Sequence, residues 1–191
     1  MPSVLFGSLS RSDVLTVAVV LQPTVGIGYH QPTSRQRRGE LMANTYSHLY
    51  YHLVFSTKKR TPWITSDIEQ RIWAYLGGIA RKNNMTALQV GGFDEHIHAL
   101  ISAPTTISPS RIAQVIKGDS SYWIHKEFAD LKGFAWQDGY GMFSVSRSEA
   151  AKVIRYIKNQ RRHHENQSFE EEYRELLLLH EIEFDERFLF D

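Results

Sequence analysis

The chain has 191 residues, with 22 Lys and Arg against 21 Asp and Glu, a formal net charge of +1, 42% hydrophobic residues and no cysteine. That composition suits an ordinary globular domain and excludes a collagen-like, coiled-coil or wholly disordered chain, disulfide staples, thiolate metal sites and a cysteine nucleophile. No stretch reaches the roughly 18 apolar residues of a membrane-spanning helix, and a total charge so near zero argues by itself against a nucleic-acid partner.

The charge is unevenly spread. Residues 1–41 carry four basic and two acidic residues, 42–164 carry 16 and nine, and 165–191 carry two and ten, for local nets of +2, +7 and −8. A basic body suited to phosphate therefore precedes an acidic end, which is either a solvated helix or a segment packed on the body. We expect it to pack beside the functional helix of the body.

In chain order, residues 1–41 hold a short apolar run (Val14 to Leu21) and a Pro/Gly/Gln/Arg-rich stretch. They lack the features of a secretory signal. They read as a disordered or misassigned extension, with Met42 as the initiator and 42–191 as the functional domain. Tyr46 to Ser56 is aromatic and β-branched and reads as a strand, with Leu49, Tyr51, Leu53 and Phe55 on one face. Ser66 and Glu69 suggest a capping box opening a helix to about Lys82. Thr86–Phe93 and His96–Ser102 read as strands around an Asp94-Glu95 turn, and Ser108–Phe128 as a second helix. A further strand ends near Val145. Helices follow from Ser148 to about His164 and from Phe169 to His180, the latter beginning an acidic C-terminal helix and tail over 165–191. This order is a split βαβ arrangement. It predicts an α+β fold, ferredoxin-like or RNA-recognition-like, with an antiparallel sheet and helices on one face.

Three groups of residues could carry chemistry. The first is His96-Ile97-His98: strand periodicity puts both imidazoles on one face, where they could ligate one divalent ion or simply be solvated. Second, Tyr156 and Gln160 stand i, i+4 on a helix in the C-terminal half, at the edge of the stripe Ala150, Val153, Ile154 and Ile157. Such a tyrosine is either a half-buried packing residue or a nucleophile, and a Gln carbonyl oxygen suits a hard cation. Third, Lys58, Lys59, Arg60, Arg155, Arg161 and Arg162, interleaved with aromatic residues, are candidate DNA contacts. His163 and His164 read as solvent-facing residues at a helix C-terminus, and His52 and His180 as ordinary core or surface histidines.

Together, MANTYSHLYYHLVFSTKKR, GGFDEHIHALIS, VIRYIKNQRRHHENQSFEEEY and HEIEFDERFLFD resemble the HUH single-tyrosine transposases of the insertion-sequence-200/605 type, over residues 42–191. The resemblance implies that His96, His98 and Gln160 bind Mg2+ or Mn2+ and that Tyr156 is the catalytic nucleophile. It implies cleavage and rejoining of single-stranded DNA at insertion-sequence ends through a 5′-phosphotyrosine, with recognition of hairpins near those ends. It further implies a cytoplasmic homodimer in which the tyrosine of one subunit faces the histidine pair of the other. A replication or transfer nickase with the same chemistry, or a non-catalytic hairpin-binding regulator on the same fold, are the alternatives. Tyr156→Phe separates the catalytic readings from the regulator.

Overall fold

The computed structural model describes residues 46–190, so the expectation for residues 1–41 lies outside the described residues. Period-two alternation produces β1 (Leu49–Ser56), and a 3-10 turn at Lys58–Arg60 ends it. The chain continues through α1 (Glu69–Lys82), β2 (Thr86–Phe93), β3 (His96–Ala103), α2 (Pro109–Glu127) and β4 (Gly141–Val145). It closes with α3 (Ala150–Lys158), α4 (Gln160–His163) and α5 (Phe169–Leu179). The four strands form one sheet in the order β2-β3-β1-β4, with every neighbouring pair antiparallel. That is the order of a split βαβ fold.

One face of the sheet presents Leu53, Phe55, Ile97, Ala99 and Ile101 to Ile72, Leu76 and Ile79 of α1 and to Ile112, Val115 and Ile116 of α2. Most of these side chains are fully buried, each worth about 1.5–3 kcal/mol of apolar burial. Helices on one face is thus an accurate description of α1 and α2, but the opposite face is covered as well. There Tyr50 and Leu100 pack on Ala150 and Ile157 of α3. Val54 and Phe143 pack on Phe169, Tyr173 and Leu177 of α5. The second layer exists because this face is only partly polar: between its histidines the strands place side chains as apolar as those of the first face.

Local signals explain most helix ends. Ser108 accepts a hydrogen bond from the Arg111 amide at 3.2 Å, with Pro109 in the first turn of α2. Ser168 and Glu171 form a capping box at the start of α5. Two boundaries differ from expectation. Ser66 makes no cap: α1 begins at Glu69, whose amide bonds to the Thr65 carbonyl at 3.0 Å, with Ile68 at the N-cap and no side-chain cap bond. The helix expected to run unbroken to His164 instead breaks at Asn159 (φ −100°, ψ 13°) into α3 and α4. Tyr156 therefore lies on one side of the break and Gln160 opens the helix on the other.

Candidate functional site

Pairing register assembles the site on the second face of the sheet. Val54 of β1 stands opposite His98 of β3, Ser56 opposite His96, and Gly91 of β2 opposite His98 on its other side. The expected strand alternation holds, and Ile97 between the histidines points into the opposite core. Both imidazoles are fully buried under α3, α4 and α5.

Around them stand four side chains from the last three helices. Gln160 Oε1 lies 3.2 Å from His96 Nε2 and 2.9 Å from His164 Nε2, while Gln160 Nε2 donates to Glu172 Oε1 at 2.9 Å. Tyr156 donates its hydroxyl to the same Glu172 oxygen, and its ring meets His98 edge-on at a centroid distance of 5.7 Å. The other carboxylate oxygen, Glu172 Oε2, lies 3.1 Å from His164 Nε2, 3.4 Å from His98 Nε2 and 3.8 Å from His96 Nε2. The structure thus brings His96, His98, Gln160 and Tyr156 together within one chain.

The imidazoles are held from behind. His98 Nδ1 is 3.0 Å from His52 Nε2; with the proton on His98 Nδ1, its Nε2 lone pair faces the site. Phe169 stacks on the His96 ring at 4.4 Å. Burial, followed by the neighbouring His98, drives the His52 pKa well below that of a free imidazole, and burial likewise lowers His96. Burial would raise Glu172, but His98, His164 and His96 facing it hold the carboxyl well below the usual carboxylate range. Burial and then the Glu172 carboxylate push the Tyr156 hydroxyl far above its ordinary value, so it rests as a phenol.

The model for IS200-like transposases matches residues 45–160. The chain belongs to the IS200-like transposase family. It is 29% identical over 124 residues to the transposase for insertion sequence element IS200 of Salmonella typhimurium, a match covering 62% of this chain and 81% of that protein. It is 25% identical over 117 residues to the ISDra2 transposase TnpA of Deinococcus radiodurans, covering 59% and 84%. A 1.90 Å crystal structure from Deinococcus radiodurans R1 shares the fold, with a TM-score of 0.52, 24% identity and coverage of 65% of this chain and 98% of that one.

In this IS200-like transposase a His/Glu cluster of His96, His164 and Glu172 has ligand atoms close enough to hold a metal ion. Among the described residues no helix is long and apolar enough to cross a membrane. The candidate DNA contacts fall into two groups. Lys59, Arg155 and Arg162 are exposed, and Lys58 is exposed within 3.9 Å of Asp138. Arg60 and Arg161 also hold ion pairs within the chain. Arg60 pairs with Glu170 at 2.7 Å and lies over the Phe190 ring, and Arg161 donates to Glu69 at 2.7 and 3.0 Å, tying α4 to α1. His163 and His164 do not project into solvent as expected, because the break at Asn159 turns them toward the sheet; His164 is nearly fully buried. Sequence reading also missed His52 and Glu172. A signal for Glu172 was present: Phe169, Glu172, Tyr173, Leu176 and Leu177 make one helical stripe with a carboxylate among apolar residues.

Proposed function

We propose that this transposase cleaves and rejoins single-stranded DNA at the ends of an insertion element, using Tyr156 as nucleophile. The observation that carries the proposal is the convergence of Tyr156, Gln160, His96 and His98 in a single buried cluster. Tyr156 Oη attacks the scissile phosphorus; the Oη–P bond forms as the P–O3′ bond breaks, leaving a 5′-phosphotyrosine and a free 3′-hydroxyl. The phenolic proton is lost as the departing 3′-oxygen gains one, so the exchange is balanced. The phosphodiester energy is kept in the tyrosyl ester, and a second 3′-hydroxyl can reverse the step and join new ends.

Resting as a phenol, Tyr156 needs help, and the donor set fits a hard divalent cation. His98 Nε2 is buried with no hydrogen-bond partner, and Gln160 Oε1 shares its direction toward His96. His96, His98 and Gln160 would hold Mg2+ or Mn2+, which supplies positive charge to the phosphate oxygens and the leaving 3′-oxygen. His52 orients His98, and Phe169 orients His96. Lys58, Lys59, Arg60, Arg155, Arg161 and Arg162 are the cations that would meet phosphate. Recognition of a hairpin near the element ends, and work in the cytoplasm as a homodimer with the active site shared between subunits, follow from the family.

The test is incubation with labelled single-stranded DNA from the element's flanking ends plus Mg2+ or Mn2+. A denaturation-resistant protein–DNA adduct is expected from the wild type. Tyr156→Phe should lose it while binding the DNA equally well. No adduct from the wild type, or an undiminished one from the variant, overturns the proposal and favours the non-catalytic regulator.

A further inference from the structure

The family match ends at residue 160, yet the most enclosed carboxylate facing the histidine pair comes from beyond it, on α5. We propose that Glu172 is a ligand of the same divalent metal through Oε2, joining His96, His98 and Gln160, while its Oε1 aligns Tyr156. This assignment rests on the functional reading above and deepens it by naming the anionic member of the metal set.

Three observations carry it. First, Glu172 Oε2 and His98 Nε2 are buried without a hydrogen-bond partner and stand 3.4 Å apart, while His164 Nε2, 3.1 Å from Oε2, is engaged with Gln160 Oε1 at 2.9 Å. Buried polar atoms are almost always paired, and a carboxylate left facing imidazole lone pairs is costly unless a cation joins them. Second, the spacing suits neighbouring ligands of one ion. Oxygen and nitrogen ligands about 2.1 Å from an octahedral metal lie roughly 3 Å from one another. Here Glu172 Oε2 is 3.4 and 3.8 Å from the two histidine Nε2 atoms, and Gln160 Oε1 is 3.2 Å from His96 Nε2. Third, Oε1 of the same carboxylate already organises the other participants, accepting hydrogen bonds from the Tyr156 hydroxyl and from Gln160 Nε2. The latter bond fixes the Gln160 amide so that its carbonyl oxygen faces His96. One carboxylate therefore links the nucleophile, the amide ligand and the histidine pair.

The chain itself supports this position structurally. The capping box at Ser168 fixes where α5 begins, and Phe169, Tyr173 and Leu177 seat it on Val54 and Phe143. Glu172 is thereby presented to β3 with no freedom to turn toward solvent. The acidic C-terminal segment is thus part of the site.

The test measures metal binding by the full-length chain without DNA, using the Mn2+ electron paramagnetic resonance signal to count free ion. Glu172→Gln keeps the shape and removes the charge; it should weaken Mn2+ binding at least tenfold, the low end of what loss of an ordering partner costs a metal site. Glu165→Gln removes the same charge from an exposed position and should bind Mn2+ as the wild type does. Should Glu172→Gln fail to fold by near-ultraviolet circular dichroism, Glu172→Asp keeps the charge on a shorter arm and should still weaken binding severalfold. Wild-type affinity in either folded Glu172 variant overturns the assignment. The Tyr156-dependent adduct is read separately on the wild type, so the ligand assignment can fail while the nucleophile assignment stands.

Discussion

Gly91 offers a way to move the nucleophile without touching it. It pairs with His98 across β2 and β3 and lies directly beneath α3. A Cβ at this position would sit 2.6 Å from the Ile157 carbonyl oxygen and 2.9 Å from Ile157 Cγ2. Ordinary contact begins near 3.4 Å, so in Gly91→Ala the α3 backbone must retreat by about 0.8 Å, the difference between the two distances. Ile157 adjoins Tyr156, and the retreat carries the hydroxyl away from the histidine pair. Overpacking of this kind costs about 1–3 kcal/mol. At roughly 3 °C per kcal/mol for a chain of this size, Tm should fall by roughly 3–9 °C. A misplacement near 1 Å costs on the order of 100-fold in a positioned reaction, so adduct formation should slow by roughly 30–100-fold while single-stranded DNA binding is unchanged. Scanning fluorimetry and a timed gel assay of the adduct measure both effects. Gly118→Ala is the control: its Cβ meets nothing within 4 Å, and alanine inside α2 should stabilise by about 0.5–1 kcal/mol. A folded Gly91→Ala protein with the wild-type adduct rate would refute the claim that α3 packing sets the reactive geometry.

Ser168→Ala removes the hydroxyl half of the α5 capping box and leaves the residue-168 amide on the Glu171 carboxylate; it should cost about 1 kcal/mol, seen as a lower urea midpoint with an unchanged slope, and no change would mean that the hydroxyl does not help to place α5. The pH dependence of stability should carry the mark of His52, whose folded pKa is lowered by burial and by His98. Above the unfolded value of about 6.5 both states are neutral and the contribution is intact. As pH falls from there toward the folded value, only the unfolded chain takes the proton, and stability declines by at most about 1.4 kcal/mol per pH unit. With metal chelated, Tm should therefore fall between pH 7.5 and 5.5, and His52→Gln should flatten that fall; equal slopes would contradict the assignment.

The parts of the site that were readable in the sequence are those set by local periodicity. Two-residue alternation on β3 put His96 and His98 on one face and Ile97 on the other, and the i, i+4 spacing kept Tyr156 near Gln160. What could not be read was which distant elements would cover that face. His52 reaches His98 only because β1 pairs with β3 in one register. The turn at Asn159, which swings His164 inward, leaves no strong breaker signal in the run Tyr156 to His164. Glu172 was hidden by its neighbours: Glu170, Glu171 and Glu175 suggest a solvated acidic helix, and only the apolar stripe running through Glu172 marks it as inward. Charge alone likewise does not reveal that Arg60 and Arg161 are paired with Glu170 and Glu69.

The central claim is that Tyr156 attacks the DNA beside the paired histidines His96 and His98. The most direct measurement incubates the wild type, Tyr156→Phe and His98→Ala separately with flanking single-stranded DNA and Mn2+, and maps any adduct by peptide mass spectrometry. The account predicts a wild-type adduct on the peptide bearing Tyr156, none from Tyr156→Phe and a large loss from His98→Ala. A wild-type adduct on another residue, or an undiminished adduct from either variant, would contradict the account.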